Sequence, residues 1–189
     1  MISIPGYAVL DVLYESVHSL TVRARSVHDG QTVIVKTLKD EHPPPREVQK
    51  YKTEFELATE LAGSPGIIRV LALEKVHHSL AMIVEDFGGE SLKILLRKRT
   101  FPLTELLEIG IKIASCLGEI HARKIIHKDV NPANIVYNPS TAELKLIDFG
   151  IATRLLREAP GFESPAVVEG TLAYISPEQT GRMNRSSSS

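Results

Sequence analysis

The sequence predicts an α+β fold with two lobes, because a β-rich first part gives way to a helical second part. Short segments rich in Val, Leu, Ile and Thr fill most of the chain before Asp86, and such segments favour strands. An apolar stripe at three- and four-residue spacing then runs from Pro102 to Ala122 and predicts a long amphipathic helix. The residues Asp86-Phe87-Gly88-Gly89 between the two parts are predicted to form a flexible connector.

Five strands and one helix are predicted before that connector. Asp29-Gly30 lies between two apolar runs, and this pair favours a tight hairpin. Three prolines at positions 43–45 exclude both helix and central strand, and an apolar stripe after them predicts a helix from Arg46 to Ala62. That stripe consists of Val48, Tyr51, Phe55, Ala58 and Ala62. The predicted strands are Tyr7–Tyr14, Leu20–Val27, Gln31–Leu38, Ile67–Glu74 and Leu80–Glu85.

Composition excludes several classes of function. The chain has 189 residues, of which 43% are hydrophobic and 24% charged, as in a soluble globular domain. Its net charge of −1 gives no electrostatic basis for binding nucleic acid. There is no run of about 18 apolar residues that would span a membrane. The first six residues have neither the basic head nor the long apolar stretch of a signal peptide, so none is expected. The single Cys116 cannot form an internal disulfide, so we expect a location in the reducing cytoplasm.

Two polar blocks in the second half point to phosphoryl transfer. The first is His-Lys-Asp-Val-Asn-Pro-Ala-Asn at residues 127–134, and the second is Asp-Phe-Gly at residues 148–150. Phosphoryl transfer needs a carboxylate that orients and deprotonates the attacking hydroxyl, and Asp129 suits this task. It also needs hard oxygen ligands for Mg²⁺, and Asn134 and Asp148 supply them.

These blocks resemble the catalytic loop and the magnesium-binding motif of eukaryotic-type protein kinases. A lone Asp-Phe-Gly is usually an ordinary turn, but its pairing with the eight-residue block makes the resemblance specific. The resemblance implies ATP and Mg²⁺ as cofactors. It also implies a two-lobed protein-kinase-like fold with a complete β-rich N-lobe.

Further upstream, Val33-Ile34-Val35-Lys36 resembles the kinase strand whose lysine holds the α- and β-phosphates. A single lysine at the end of a strand is more often a solvated surface residue. In the family this lysine pairs with a glutamate on the next helix, and Glu54 is the best candidate. Glu54 lies at the edge of the predicted buried stripe, whereas Glu56 and Glu60 are expected to face water.

The resemblance also assigns an adenine-binding region. Val84-Glu85-Asp86-Phe87 corresponds to the hinge, where the backbone of Glu85 and Phe87 would receive the adenine edge. Val22 and Ile34 would line the adenine pocket. The alternative for these two apolar residues is an ordinary place in the core of the sheet.

The segment Gly170–Glu178 resembles the kinase segment that forms a platform for the substrate peptide. This resemblance implies a protein substrate and favours serine or threonine over tyrosine as the acceptor. Ser164 and Thr171 are candidate phosphorylation sites, although ordinary solvated hydroxyls are the alternative.

Four positions depart from the family pattern. No glycine occurs from Glu15 to Val22, where a glycine-rich loop would contact phosphates, so Ser16 and Ser19 hydroxyls could take that part. Ile34 replaces a small alanine and narrows the roof of the pocket. Asn131 replaces a lysine that meets the γ-phosphate. Lys128 replaces an arginine, so regulation by loop phosphorylation is doubtful.

The residues of the catalytic-loop block and of the stretch that begins at Gly170 together resemble the N-terminal kinase domain of large bacterial signalling proteins. These proteins join that domain to an ATPase module and a sensor histidine kinase. We therefore expect further domains in the same polypeptide. The expected domains are an N-lobe at 7–87, a partial helical C-lobe at 88–180 and a disordered tail at 181–189. Since the C-lobe would be incomplete, we expect this chain alone to be weakly active and marginally stable.

Three functions are consistent with the sequence. The first is ATP- and Mg²⁺-dependent phosphorylation of Ser or Thr in a protein, with Asp129, Lys36 and Glu54 as the catalytic residues. The second is a pseudokinase-like regulatory module that binds nucleotide without turnover, which the missing glycines and Asn131 favour. The third, a small-molecule phosphotransferase, is disfavoured by the Gly170–Glu178 segment.

Overall fold

A computed structural model describes residues 4–40, 42–76, 79–154 and 171–174 of the chain. The predicted α+β class is confirmed, with a five-stranded antiparallel sheet in the N-terminal part and few helices. The N-terminal elements are β1 (Tyr7–Glu15), β2 (Ser19–Ser26), β3 (Thr32–Leu38), α1 (Pro45–Glu60), β4 (Val70–Val76) and β5 (Ser79–Glu85). His77 and His78, which the sequence predicts to lie in a strand turn, are outside the described residues.

The N-terminal sheet has the strand order β1-β2-β3-β5-β4, and a side-chain hydrogen bond links its two edge strands. The hydroxyl of Tyr7 on β1 donates to Glu74 on β4 at 2.8 Å. One face of the sheet forms a closed apolar cluster. Its buried members are Ile4, Leu20, Val22, Ala24, Val33, Val35, Ala81 and Ile83.

Helix α1 packs on the other face of the sheet, where Tyr51 contacts Leu38 and Met82. The helix begins at Pro45, where a missing N–H costs nothing, and ends at Glu60. The predicted stripe was partly wrong, because Ala62 is exposed and the buried residues of the helix include Glu54. The apolar pattern could not reveal this, since a buried glutamate interrupts it.

The second part of the described chain contains α2 (Leu92–Lys98), α3 (Leu103–Ala122) and short strand pairs. Helix α2 was not predicted, because seven residues are too few for a helical period to stand out. The strands are β6 (Glu90–Ser91), β7 (Ile125–Ile126), β8 (Ile135–Asn138), β9 (Glu143–Leu146) and β10 (Thr153–Arg154). A single 3₁₀ turn covers Leu172–Tyr174.

Helix α3 confirms the predicted helix but only part of its predicted buried stripe. Ile109, Cys116 and Ile120 belong to a further buried apolar cluster, whereas Leu103, the first residue of the helix, is 71% exposed. Cys116 is buried, as expected, and its thiol donates to the carbonyl of Gly66 at 3.2 Å. Across the described ranges, no helix is long and apolar enough to cross a membrane.

The two parts join where β9 meets the segment before β4. The Leu146 amide donates to the carbonyl of Gly66 at 2.8 Å, and the Ile68 amide donates to the carbonyl of Leu146 at 3.1 Å. Because these bonds fix the end of β9 beside the sheet, Asp148 emerges next to the residues of β3 and α1.

Candidate active site

A cavity of about 360 Å³ lies between the sheet, α1 and the loops that follow β7 and β9. It brings together four residues that the sequence singled out as polar site residues: Lys36, Glu54, Asp129 and Asp148. Of the predicted adenine-binding residues, Val22, Ile34, Glu85 and Phe87 do not line this cavity. The cavity therefore collects predicted polar site residues and leaves these four predicted adenine-binding residues outside it.

Lys36 and Glu54 form an ion pair at the back of the cavity. The ammonium of Lys36 on β3 donates to both carboxylate oxygens of Glu54 on α1, at 2.9 and 2.8 Å. It also lies 3.6 Å from the Oδ1 atom of Asp148. The geometry agrees with the predicted partnership of Lys36 and Glu54, except that Glu54 lies within the buried face, at 6% exposure, and not at its edge.

The charges of this trio hold one another in place. Burial acts against the charge of Lys36, but Glu54 and Asp148 outweigh it and raise the pKa of the ammonium. Burial raises the pKa of Glu54, and the charge of Lys36 counteracts that rise. Burial also acts to raise the pKa of Asp148, but the ammonium of Lys36 and the Gly150 amide bring that pKa below its usual range.

Tyr51 is a member of the site that sequence reasoning missed. Its ring centroid lies 5.4 Å from the ammonium of Lys36, so the ring face contributes to holding the cation. Its buried hydroxyl has no hydrogen-bond partner among the described residues, and burial raises its pKa. Its position one helical turn before Glu54 places the two side chains on the same side of α1 and could have indicated a role beside Lys36. The apolar pattern predicts only a place for Tyr51 in the buried stripe.

Two residues of the catalytic loops have a backbone conformation that side chains rarely adopt. Lys128 and Asp148 both have φ of 66°. The Gly150 amide donates to Asp148 Oδ1 at 3.2 Å, and Phe149 is completely buried in the core beneath. This backbone turn aims the carboxylate of Asp148 at Lys36 while its neighbour anchors the loop.

The side chain of His127 connects the loop that carries Asp129 to the segment that carries Asp148. Its Nδ1 atom accepts the amide N–H of Asp129 at 3.3 Å, so its Nε2–H donates to the carbonyl of Ile147 at 3.0 Å. Its ring lies 4.9 Å from the ring of Phe149. Burial lowers the pKa of His127, which keeps the ring neutral and this pair of hydrogen bonds intact.

The carboxylate of Asp129 accepts hydrogen bonds on both oxygens. Asn134 Nδ2 donates to Asp129 Oδ2 at 2.8 Å. The amide and hydroxyl of Thr171 donate to Asp129 Oδ1 at 2.9 and 2.8 Å. Asp129 is therefore oriented by neutral donors, in contrast to the charged trio at the back of the cavity.

The donor set of the site fits Mg²⁺. Asn134 uses its Nδ2 atom for both of its described side-chain hydrogen bonds, to the carbonyl and carboxylate of Asp129, which leaves its Oδ1 available as a hard ligand. Asp148 supplies a carboxylate. No group of three His, Cys, Asp or Glu in the described part of the chain could hold a metal alone. Magnesium sites that are completed by phosphate and water have this composition.

The hinge region is held by ion pairs on either side. Arg23 on β2 donates from Nε to Asp86 at 2.6 Å, and the carboxylate of Glu85 receives Lys145 of β9 at 2.5 Å. The carbonyl of Phe87 accepts a hydrogen bond from Asn138 at 2.7 Å. The side chains of Glu85 and Lys145 line a second cavity of about 210 Å³. The contact of the Glu85 and Phe87 backbone with adenine stays a prediction.

The strand register does not agree with the predicted role of Val22. Val22 pairs with Val35, and paired residues share a face of the sheet. Val22 therefore lies on the other face from Lys36 and Ile34. It is 1% exposed within the apolar cluster of the sheet. The β2 residues that pair with Lys36 and Ile34, and so lie on their face of the sheet, are Thr21 and Arg23. The alternative considered for Val22, a place in the core, is what the structure has, whereas Ile34 is on the predicted face.

The glycine-free turn between β1 and β2 is closed by its own serine. The hydroxyl of Ser16 accepts the amides of His18 and Ser19 at 3.3 and 2.9 Å. None of residues 15–22, all of which are described, has a positive φ. Glycine is therefore not needed for the turn itself, and Ser19 lines the main cavity.

Most of the predicted substrate platform lies outside the described residues. Thr171 and the following 3₁₀ turn are described, whereas Ser164, Gly170, residues 175–178 and the tail at 181–189 are not. The phosphorylation of Ser164 and Thr171 stays a prediction.

Comparison with known proteins gives the family. The chain belongs to the protein kinase family, because the profile of the protein kinase domain matches residues 13–189. The five-stranded sheet with its packed helix, followed by the Asp129 and Asp148 loops, is consistent with that fold.

Bacterial serine/threonine kinases are among its relatives. A probable serine/threonine-protein kinase of Clostridium perfringens is 32% identical over 175 residues, which are 92% of this chain and 25% of that protein. A serine/threonine-protein kinase of Streptomyces coelicolor is 32% identical over 154 residues, 79% of this chain and 28% of that protein. One of Mycobacterium tuberculosis is 31% identical over 157 residues, 79% of this chain and 36% of that protein. The chain thus spans only a minor part of the length of these relatives.

Proposed function

We propose that this chain is the catalytic part of a protein kinase that uses ATP and Mg²⁺ to phosphorylate serine or threonine residues of a protein. The observation that carries the proposal is the assembled polar site. Lys36 bonds both oxygens of Glu54 and lies 3.6 Å from Asp148, while Asp129 lines the same cavity.

The proposed reaction is a displacement at the γ-phosphorus of ATP. The hydroxyl oxygen of the acceptor forms a bond to the γ-phosphorus, and the bond from that phosphorus to the β,γ-bridging oxygen breaks. ADP leaves with the bonding electron pair, and the proton of the hydroxyl passes to Asp129.

The remaining site residues position the phosphates. Lys36 would bind the α- and β-phosphates, and Glu54 would keep its ammonium aimed at them. Asn134 and Asp148 would hold Mg²⁺, which neutralises charge on the phosphates when it is bound. Ile34 and the backbone of Glu85 and Phe87 would contact the adenine.

The acceptor and the cellular setting are supported by similarity. The relatives named as serine/threonine-protein kinases favour a Ser/Thr acceptor. The greater length of these relatives and the motif sequences of this chain support further domains in the same polypeptide. The domains we expect are an ATPase module and a sensor histidine kinase. We place the protein in cytoplasmic signal transduction.

A nucleotide-binding module without turnover is the second candidate. The observation that favours it is that Asn131, a neutral residue, stands in the catalytic loop where the family has a lysine. A third candidate, transfer to a small molecule, would be supported by phosphorylation of a sugar or an antibiotic in the absence of any protein phosphorylation.

Turnover of ATP distinguishes the first two candidates. We expect Asp129→Ala to lower phosphate transfer to a generic protein substrate by about 10²–10⁴-fold, the usual contribution of a catalytic base. The matched control is Asp11→Ala, which changes an exposed carboxylate on β1. Transfer should be measured in this chain and in the polypeptide encoded by the complete reading frame. Equal turnover by wild type and Asp129→Ala would refute the kinase proposal.

A further inference from the structure

We infer that Asn131 is a positioning residue that fastens Thr171 to Asp129, so that the catalytic loop and the Thr171 segment act as one unit. This inference rests on the proposed kinase function and concerns how its base is oriented. It gives Asn131 a different meaning from the lost positive charge that the sequence suggested.

Both polar atoms of the Asn131 side chain make hydrogen bonds inside the protein. The residue is 5% exposed. Its Nδ2 atom donates to the hydroxyl of Thr171 at 3.1 Å and to the carbonyl of Asp129 at 3.3 Å. Its Oδ1 atom accepts the amide of Ala133 at 2.8 Å. A side chain held at two points of its own loop is placed to orient a third group, here the Thr171 hydroxyl.

The contact with Thr171 has a fixed direction. The amide nitrogen of asparagine can only donate, so the hydroxyl of Thr171 must accept from Asn131. The one proton of that hydroxyl is then directed to Asp129 Oδ1, at 2.8 Å. The result is a chain of hydrogen bonds from Asn131 through Thr171 to the catalytic carboxylate.

This chain selects one oxygen of Asp129 for the reaction. A carboxylate oxygen has two acceptor positions, and Oδ1 fills both with the amide and the hydroxyl of Thr171. Oδ2 accepts one hydrogen bond, from Asn134, among the described residues. Oδ2 is therefore the atom that keeps a position for the proton of the acceptor hydroxyl.

The same network joins two segments that are far apart in sequence. Thr171 precedes the 3₁₀ turn Leu172–Tyr174, which belongs to the predicted substrate platform. When Thr171 is not in place, the carboxylate of Asp129 loses two of its three described hydrogen bonds and is less firmly oriented. Docking of the Thr171 segment should thus be coupled to the competence of the base.

The activity test uses three variants in the full polypeptide. Asn131→Ala and Thr171→Val, which keeps the shape of threonine without its hydroxyl, should each lower kcat by roughly 10–100-fold, the scale expected when a reacting group is misplaced. The KM for ATP should stay nearly unchanged, because the described hydrogen bonds of the two side chains go to the loop and to each other and not to Lys36 or Asp148. Thr171→Ser, which restores the hydroxyl, should recover most of the kcat that Thr171→Val loses, whereas the control Thr141→Val, on an exposed turn, should keep the wild-type kcat.

The double variant gives the sharpest result. If Asn131 acts through Thr171, Asn131→Ala combined with Thr171→Val should be no slower than the slower single variant. Losses that multiply, a Thr171→Ser as slow as Thr171→Val, or a raised KM for ATP with unchanged kcat would each overturn the inference.

A measurement that needs no activity separates this inference from the proposed function. The amide of Thr171 donates to Asp129 Oδ1, so its hydrogen exchange reports whether the segment is docked. Asn131→Ala should accelerate exchange at Thr171 and leave exchange in β2 and β3 unchanged. Unchanged exchange at Thr171 would refute the positioning role. Absence of phosphate transfer by wild type would refute the kinase proposal instead.

Discussion

Two groups of polar residues face each other across the cavity, and they are held by different forces. At the back, Lys36, Glu54 and Asp148 are all charged, and each depends on the charge of its neighbours. The Glu54 side chain is buried, whereas that of Asp148 is partly exposed to the cavity. At the front, Asp129 is the only charged member, and neutral groups of Asn134 and Thr171 hold it. We refer to them as the charged trio and the amide-bonded loop.

The difference predicts how each group fails. Removing one member of the charged trio leaves a buried charge without its partner, which costs much more than the pair contributes. Removing one donor from the amide-bonded loop leaves a carboxylate that still has other donors, so the loss is graded. The charged trio should therefore govern both stability and nucleotide binding, whereas the loop should govern the rate of transfer.

The largest effect is expected for Lys36→Met. At neutral pH it leaves Glu54 buried beside Asp148, and we expect a loss of unfolding free energy of about 3–5 kcal/mol. Burial raises the pKa of Glu54, so without Lys36 the carboxyl can take up a proton. The difference from wild type should therefore be full at neutral pH and shrink as the pH falls toward the ordinary carboxyl range.

Chemical unfolding at a series of pH values measures this effect. The matched control is Lys39→Met, whose ammonium pairs with the exposed Glu15 at 2.7 Å and should change the unfolding free energy by only about 0–1 kcal/mol. A loss for Lys36→Met that is the same at every pH would contradict the view that an unpaired Glu54 causes it.

A smaller effect, on the pH dependence of stability, is expected from His127, which accepts the amide N–H of Asp129 in the amide-bonded loop. Burial lowers the pKa of His127, so the unfolded chain binds a proton that the folded chain does not. Unfolding free energy should therefore fall as the pH drops below about 6.5, by at most ~1.4 kcal/mol per pH unit.

The variant His127→Gln should remove this dependence. Its unfolding free energy should change less between pH 7 and pH 5 than that of wild type, while the exposed control His28→Gln should follow wild type. Identical curves for wild type and His127→Gln would show that the pKa of His127 is the same in the folded and unfolded chains.

The chemistry of the site could be read from the sequence because each motif is a local string of residues. Asp129, Asn134 and Asp148 were found from two short blocks, and Lys36 and Glu54 from a strand and a helix position. The contact of Asn131 with Thr171 could not be read, since it joins residues 40 positions apart in a geometry that no local pattern encodes.

Backbone conformation and strand faces were also beyond the sequence. Lys128 and Asp148 adopt a positive φ although neither is glycine, because the surrounding loops force it. For Val22 the sequence left two places open, the adenine pocket and the core of the sheet, since the face depends on the β2–β3 register, which a one-residue shift reverses. The fold class, in contrast, follows from apolar periodicity and was predicted correctly.

The smallest effect is expected for Tyr51→Phe, which tests whether the charged trio needs the tyrosine hydroxyl or only its ring. The hydroxyl is buried with no partner among the described residues, so its removal should leave unfolding free energy unchanged or slightly higher. The ring face toward Lys36 is retained. Tyr137→Phe is the matched comparison, because Tyr137 donates to Glu105 at 3.1 Å, and its loss should cost about 1 kcal/mol. Since a phosphate or a bound water could use the Tyr51 hydroxyl, the KM for ATP should be measured beside stability. A destabilised Tyr51→Phe would mean that the hydroxyl is paired within the folded chain, and a raised KM with unchanged stability would assign it to the nucleotide.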